Sequence, residues 1–153
     1  MNKKAILITI ILILTFIVFR LAFSSKNIED SYTMCISNEK EGKLDKEIIY
    51  KIYKDNTCDD CIKTISIKTT YNSETSNNDN LNTLAYIIDT ENNEYSSNKG
   101  FTYKVNSRTS NKYVYTINFD IKEISNELKS LYNLDDSYNS ELNYLKENNY
   151  TCK

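Results

Sequence analysis

The sequence predicts an α+β chain, with one N-terminal transmembrane helix followed by a single antiparallel-sheet domain in the order β-β-β-α-β-β-α-α. Three observations predict it. Residues 5–19 form an apolar run softened only by Thr9 and Thr15. Five later segments alternate apolar and polar residues with the period of a strand. Three more repeat apolar residues with the period of a helix.

The first element is the apolar run. Lys3 and Lys4 precede it, Arg20 interrupts it, and Leu21, Ala22 and Phe23 resume it. Residues 5–23 make nineteen positions, which at the helical rise cross a hydrocarbon core of about 30 Å. Arg20 lies close enough to the outer end to extend its guanidinium along its own stem to the headgroups. The leading lysines favour the cytoplasmic side. The expected organisation is a cytoplasmic stub at 1–4, a transmembrane signal anchor at 5–23, a linker at 24–30 and an extracytoplasmic domain at 31–153. The expected location is the cell membrane, single-pass, with the C-terminal domain extracellular. A cleaved signal peptide is the alternative, with Ala22 and Ser24 as the small residues of a cleavage site. Against it stand a core at the upper limit of the usual roughly 7–15 residues and Arg20 beside the cut. Both readings export the domain.

The first strand is expected at 31–37, with Tyr32, Met34 and Ile36 on one face and Thr33, Cys35 and Ser37 on the other. A charged turn around Gly42 leads to a second strand at 46–54, where Ile48, Tyr50 and Ile52 share a face. At 62–71, Ile65, Ile67, Thr69 and Tyr71 oppose Thr64, Ser66, Lys68 and Thr70. That one-sided alternation belongs to an antiparallel sheet with one wet face. Leu81, Leu84, Ala85 and Ile88 then predict a helix over about 80–95, capped by Asn78 or Asp79 and broken by Gly100. Phe101, Tyr103 and Val105, then Tyr113, Tyr115, Ile117 and Phe119, make a hairpin joined by 107–112. Asp120 and Glu123 have capping-box spacing ahead of a stripe of Ile121, Ile124, Leu128 and Leu131. A last helix at 140–148 buries Leu142 and Leu145, Asn149 takes the left-handed position that ends it, and 150–152 is an extended tail.

Composition excludes several function classes. Removing Lys3, Lys4 and Arg20 leaves 16 basic against 21 acidic residues, a net charge of −5 on the exported part, which is no footprint for nucleic acid. The chain has no histidine, so Ser-His, Cys-His and His-metal mechanisms are excluded. Gly42 and Gly100 are its two glycines, too few for a phosphate-cradling loop. Asp135 with Asp136, or Asp59 with Asp60, would be glycosidase acids only if something tuned one carboxyl away from the other, and adjacent acids point apart.

Outside the membrane, four cysteines argue first for disulfides, in one of three connectivities. The preferred set is Cys35 with Cys152 and Cys58 with Cys61. The first staples the tail to the first strand and the second closes a tiny loop. Cys58-Asp59-Asp60-Cys61 also has the spacing of a thiol oxidoreductase, but Asp55, Asp59 and Asp60 around it raise a thiol's pKa where catalysis needs it lowered. A four-cysteine zinc site is a further alternative with only one of the two usual pairs. Calcium at Asp55, Asp59 and Asp60 lacks the Gly and the distal Glu of an EF-hand loop. Of the thirteen tyrosines, Tyr32, Tyr71, Tyr103, Tyr113 and Tyr115 fall on expected core faces, while Tyr53, Tyr138 and Tyr144 are expected at the surface.

The run Phe-Thr-Tyr-Lys-Val after Gly100, the strand Tyr-Thr-Ile-Asn-Phe-Asp at 115–120 leading into Ile-Lys-Glu, and the ending Leu-Lys-Glu-Asn-Asn-Tyr-Thr-Cys-Lys resemble the YehR-like lipoprotein family. They resemble more closely its anchored, Cys-ended relatives in low-GC Gram-positive bacteria. The resemblance spans most of 32–153 and implies a small envelope domain. The chain lacks the acylated cysteine of the lipoprotein members, so a lipid anchor does not carry over, and neither do functional residues. The expected function is a non-catalytic binding or envelope-associated module without cofactor or metal, its partners the membrane and an envelope protein or cell-wall ligand. A membrane-tethered thiol oxidoreductase through Cys58 and Cys61 is the alternative.

Overall fold

The computed structural model describes residues 31–75 and 79–153. Its frame is one six-stranded antiparallel sheet in the order β4-β5-β3-β2-β1-β6. The strands are β1 (Tyr32–Glu41), β2 (Leu44–Lys54), β3 (Ile62–Ser73), β4 (Phe101–Arg108), β5 (Lys112–Asp120) and β6 (Thr151–Cys152). The helices are α1 (Asp79–Glu94), α2 (Asn126–Leu131) and α3 (Tyr138–Glu147). Cross-strand partners Cys35, Tyr50, Ile67, Ile117 and Tyr103 lie in one row on the covered face. Lys51, Lys68, Thr102 and Lys104, on the other face, are exposed or half-buried.

The expected fold class is corrected. The domain is sheet-dominant, with a few helices laid on a single six-stranded sheet, and the element order ends on a strand. The extended tail becomes β6 because Met34 and Lys153 exchange backbone hydrogen bonds of 3.1 and 2.9 Å and Cys35 pairs with Cys152. Among the described residues no helix is long and apolar enough to cross a membrane. The anchor expected at 5–23 lies outside the described residues, as do the stub and the linker.

Two local expectations are also overturned. Asp120 does not cap a helix: its Oδ1 accepts the amide of Lys122, and Glu123 pairs with Lys99 at 2.9 Å. The chain turns through Ile121 and Ile124, which are buried, and α2 begins only after Ser125, whose Oγ accepts the Leu128 amide at 3.2 Å. In β1 the inward set is Cys35 and Ser37, so Tyr32 is 44% exposed. The register forces this, since Cys35 opposes the inward Tyr50. Tyr32 packs instead on Tyr53 at 5.4 Å beneath the ammonium of Lys51.

Gly100 ends the α1–β4 connection at φ 74°, where an added Cβ would meet Ile124 N at 2.8 Å and Asp120 O at 3.0 Å. Its carbonyl accepts the Asp120 amide at 2.7 Å. Gly100→Ala therefore combines left-handed strain with a backbone clash. It is expected to lower stability by about 2–3 kcal/mol, read from denaturant midpoints. Asn149 takes the left-handed position expected from the sequence, at φ 66°.

Candidate functional site

Both preferred disulfides are formed, Cys35–Cys152 in the core and Cys58–Cys61 between β2 and β3. The four cysteines therefore lie in two separate places rather than around one centre. Cys58 is exposed, and Cys61 bridges to Ser137, the N-cap of α3. A helix N-terminus beside a CxxC is where a thiolate could be favoured, but here Asp60 occupies it. Its carboxylate accepts from Ser137 Oγ at 2.7 Å and from the Asn139 amide at 2.8 Å. Those bonds hold the Asp60 carboxyl below its ordinary range.

Asp55, buried at the foot of the loop, pairs with Lys122 and accepts the Thr57 amide at 2.9 Å, and its pKa falls to about 2. Asp55 and Asp60 thus serve different neighbours and clamp the loop. Asp135 and Asp136 also part, toward the Ser137 amide and Lys129. Tyr53, Tyr138 and Tyr144 do not converge. Tyr53 leans on Tyr32, Tyr138 reaches Thr33 Oγ1 at 2.5 Å under Lys54, and Tyr144 is exposed on α3.

The arrangement that could receive a ligand lies elsewhere. Between α1, α2 and β5 is a cleft of about 430 Å³, within the range of small-molecule sites. Tyr95, Tyr115 and Tyr132 wall it, Ile88 and Ile117 form its apolar floor, and Glu91 and Glu94 stand at its rim. Asn92, buried beneath, accepts from the Tyr132 hydroxyl at 2.8 Å and donates to the Ile88 carbonyl at 2.8 Å. Tyr132 further packs on Phe119 at 4.9 Å and Phe101 at 6.0 Å. Of the lining groups, Ile88, Tyr115 and Ile117 carried a sequence expectation, on the apolar faces of a helix and a strand, whereas Glu91, Glu94, Tyr95 and Tyr132 were not expected at a site. The spacing of Glu91, Glu94 and Tyr95 at i, i+3 and i+4 places them on one side of a helix end, but does not by itself mark a cleft.

A polar latch fixes α1, and hence one wall of the cleft, to the sheet. Asp89 Oδ1 accepts from the hydroxyls of Tyr103 and Tyr113, each at 2.5 Å, while Arg108 reaches Oδ2 at 2.8 Å. Burial, and then the hydrogen bond to Asp89, push both phenols well above their ordinary range. Asp89→Ala would leave the hydroxyls of Tyr103 and the fully buried Tyr113, 2.5 Å apart, with only each other in place of a shared carboxylate. The expected loss is about 1–3 kcal/mol, measured by thermal unfolding, with a smaller loss for Asp89→Asn, which keeps an acceptor.

Neither a protein-family model nor a curated protein matches the chain. Among solved structures, the NMR structure of a protein from Streptococcus pneumoniae TIGR4 is similar at a TM-score of 0.50 and 14% identity, covering 80% of this chain and 83% of that one. At that identity the likeness is one of fold.

Proposed function

We propose that the chain is an exported, non-catalytic binding module of the bacterial envelope, held at the outer face of the cell membrane and related to the YehR-like lipoproteins. The observation that carries the binding reading is the cleft, whose tyrosine walls are fixed by packing and hydrogen bonds before any ligand arrives. A site ordered in advance does not lose that entropy on binding. Export is supported by the apolar run at 5–23 and by two disulfides, which persist in oxidising compartments. The partner is an envelope or cell-wall ligand rather than nucleic acid, in keeping with the −5 charge of residues 24–153. Protease added to intact cells carrying the full chain with a C-terminal epitope is expected to remove the epitope; protection until lysis would contradict export.

The exposure of Cys58 keeps the thiol oxidoreductase as a second reading. The two diverge in the paired variant Cys58→Ser, Cys61→Ser. As a brace, the short loop contributes about 2 kcal/mol or less, so the variant keeps its fold with a small drop in unfolding midpoint. Wild type then shows no turnover in insulin reduction with dithiothreitol beyond the uncatalysed rate. Turnover lost in the variant would favour the enzyme.

A further inference from the structure

We infer that the cleft between α1 and α2 binds a small organic cation, an alkylammonium whose charged head lies against Glu91 and Glu94 and whose apolar part lies among Tyr95, Tyr115 and Tyr132. The inference rests on the binding-module reading and deepens it.

Charge complementarity selects the ligand. Glu91 and Glu94 are both exposed at the rim, and among the described residues neither forms an ion pair. Among the described residues no lysine or arginine lines the cleft. A hollow of similar size at the β1–β2 end, also about 430 Å³, behaves differently, since Lys46 meets Glu39 at 3.0 Å and Lys40 meets Glu74 at 2.8 Å across it or beside it. Two lysines thus stand among that hollow's acids, Glu39, Asp45 and Glu47, whereas among the described residues the α1–α2 cleft sets no cation beside Glu91 and Glu94. A carboxylate or phosphate would be repelled there.

The walls suit the same ligand. A cation within about 6 Å of a tyrosine ring centroid is attracted by the ring quadrupole, more strongly as the site is desolvated. Three such rings surround one volume, each propped from behind: Tyr95 on Phe101 at 6.2 Å, Tyr115 on Tyr113 at 5.5 Å, and Tyr132 on Phe119. Burial raises the Tyr132 phenol to about 12, with Tyr95, Tyr115 and Glu91 adding to the effect. The apolar floor of Ile88 and Ile117 accommodates a short alkyl chain rather than a bare ammonium ion.

The test uses the full chain, isotope-labelled, in nanodiscs of a neutral lipid, titrated separately with n-butylammonium, n-butanol and butyrate, which share a carbon skeleton. Amide shifts at 91–95, 115 and 131–132 are expected with n-butylammonium at an affinity roughly tenfold above n-butanol, weakening with salt, and none with butyrate. Glu91→Gln with Glu94→Gln is expected to bring n-butylammonium down to the level of n-butanol, with the rest of the spectrum unchanged. Tyr132→Leu should weaken both. Equal binding of n-butylammonium and n-butanol, or no effect of the double Gln variant, overturns the cation and leaves the binding module standing. Shifts with none of the three overturn both.

Discussion

Replacing Cys35 and Cys152 together by serine is expected to remove about 4–5 kcal/mol of stability, since the bridge closes a sequence separation of 117 residues. Against a typical total of about 5–15 kcal/mol, the variant would sit at or near unfolding at physiological temperature. The bridge also determines whether β6 exists. That strand has two residues, and apart from the Met34 and Lys153 backbone pair it leans on the edge contact of Tyr150 with Tyr50 at 5.2 Å. Cys35 is fully buried in the main core, so a serine there also buries a hydroxyl. Urea unfolding of the oxidised wild type and the double variant checks the magnitude, and hydrogen exchange should show the 150–153 amides losing protection first. A loss under about 1 kcal/mol would mean that loop closure does not brace this domain.

The second large effect is expected at Glu141, on the inner side of the first turn of α3. It is 1% exposed; Oε2 accepts the Asp135 amide at 2.8 Å, and Oε1 has no partner among the described residues. Burial raises its pKa from 4.5 to about 7, against the opposing pull of the Asp135 amide. A raised acid pKa means that the native state binds the proton more tightly than the unfolded chain. Stability therefore falls as pH rises from the unfolded value toward about 7, and is level above it. The drop expected from this group is about 3 kcal/mol. Glu141→Gln keeps an acceptor for Asp135 and removes the charge. It should flatten the profile between about pH 4.5 and 7 and leave the protein more stable than wild type at pH 8 by about 1–3 kcal/mol. Chemical denaturation at half-unit pH steps reads this directly, and parallel profiles for the two proteins would contradict it.

Strands whose alternation carries a buried face were legible. Ile48, Tyr50 and Ile52, and Ile65, Ile67, Thr69 and Tyr71, occupy the covered side as their spacing requires. The helix read at 80–95 is α1, shifted by one residue at each end. In β1 both faces carry apolar groups, so alternation alone could not choose, and the cross-strand partner of Cys35 chose instead. β6 is too short to have a period and follows from tertiary pairing. The cap at Asp120 failed because its side chain had a competing local use, an Asx turn to Lys122. The cleft was invisible for a different reason. Its residues come from α1, β5 and α2, and nothing along the chain brings Glu91, Tyr115 and Tyr132 together. The two disulfide pairs were legible because four cysteines allow few connectivities.

The most direct test of a disulfide-locked domain is the intact mass of the full chain taken from the cells that make it and alkylated without and then with reductant. Locked bridges predict no alkyl group before reduction and four after it. Two groups added before reduction, mapped to Cys58 and Cys61, would contradict the lock and point to thiol chemistry at the exposed loop. Four groups added without reductant, once a chelator is present, would contradict both bridges.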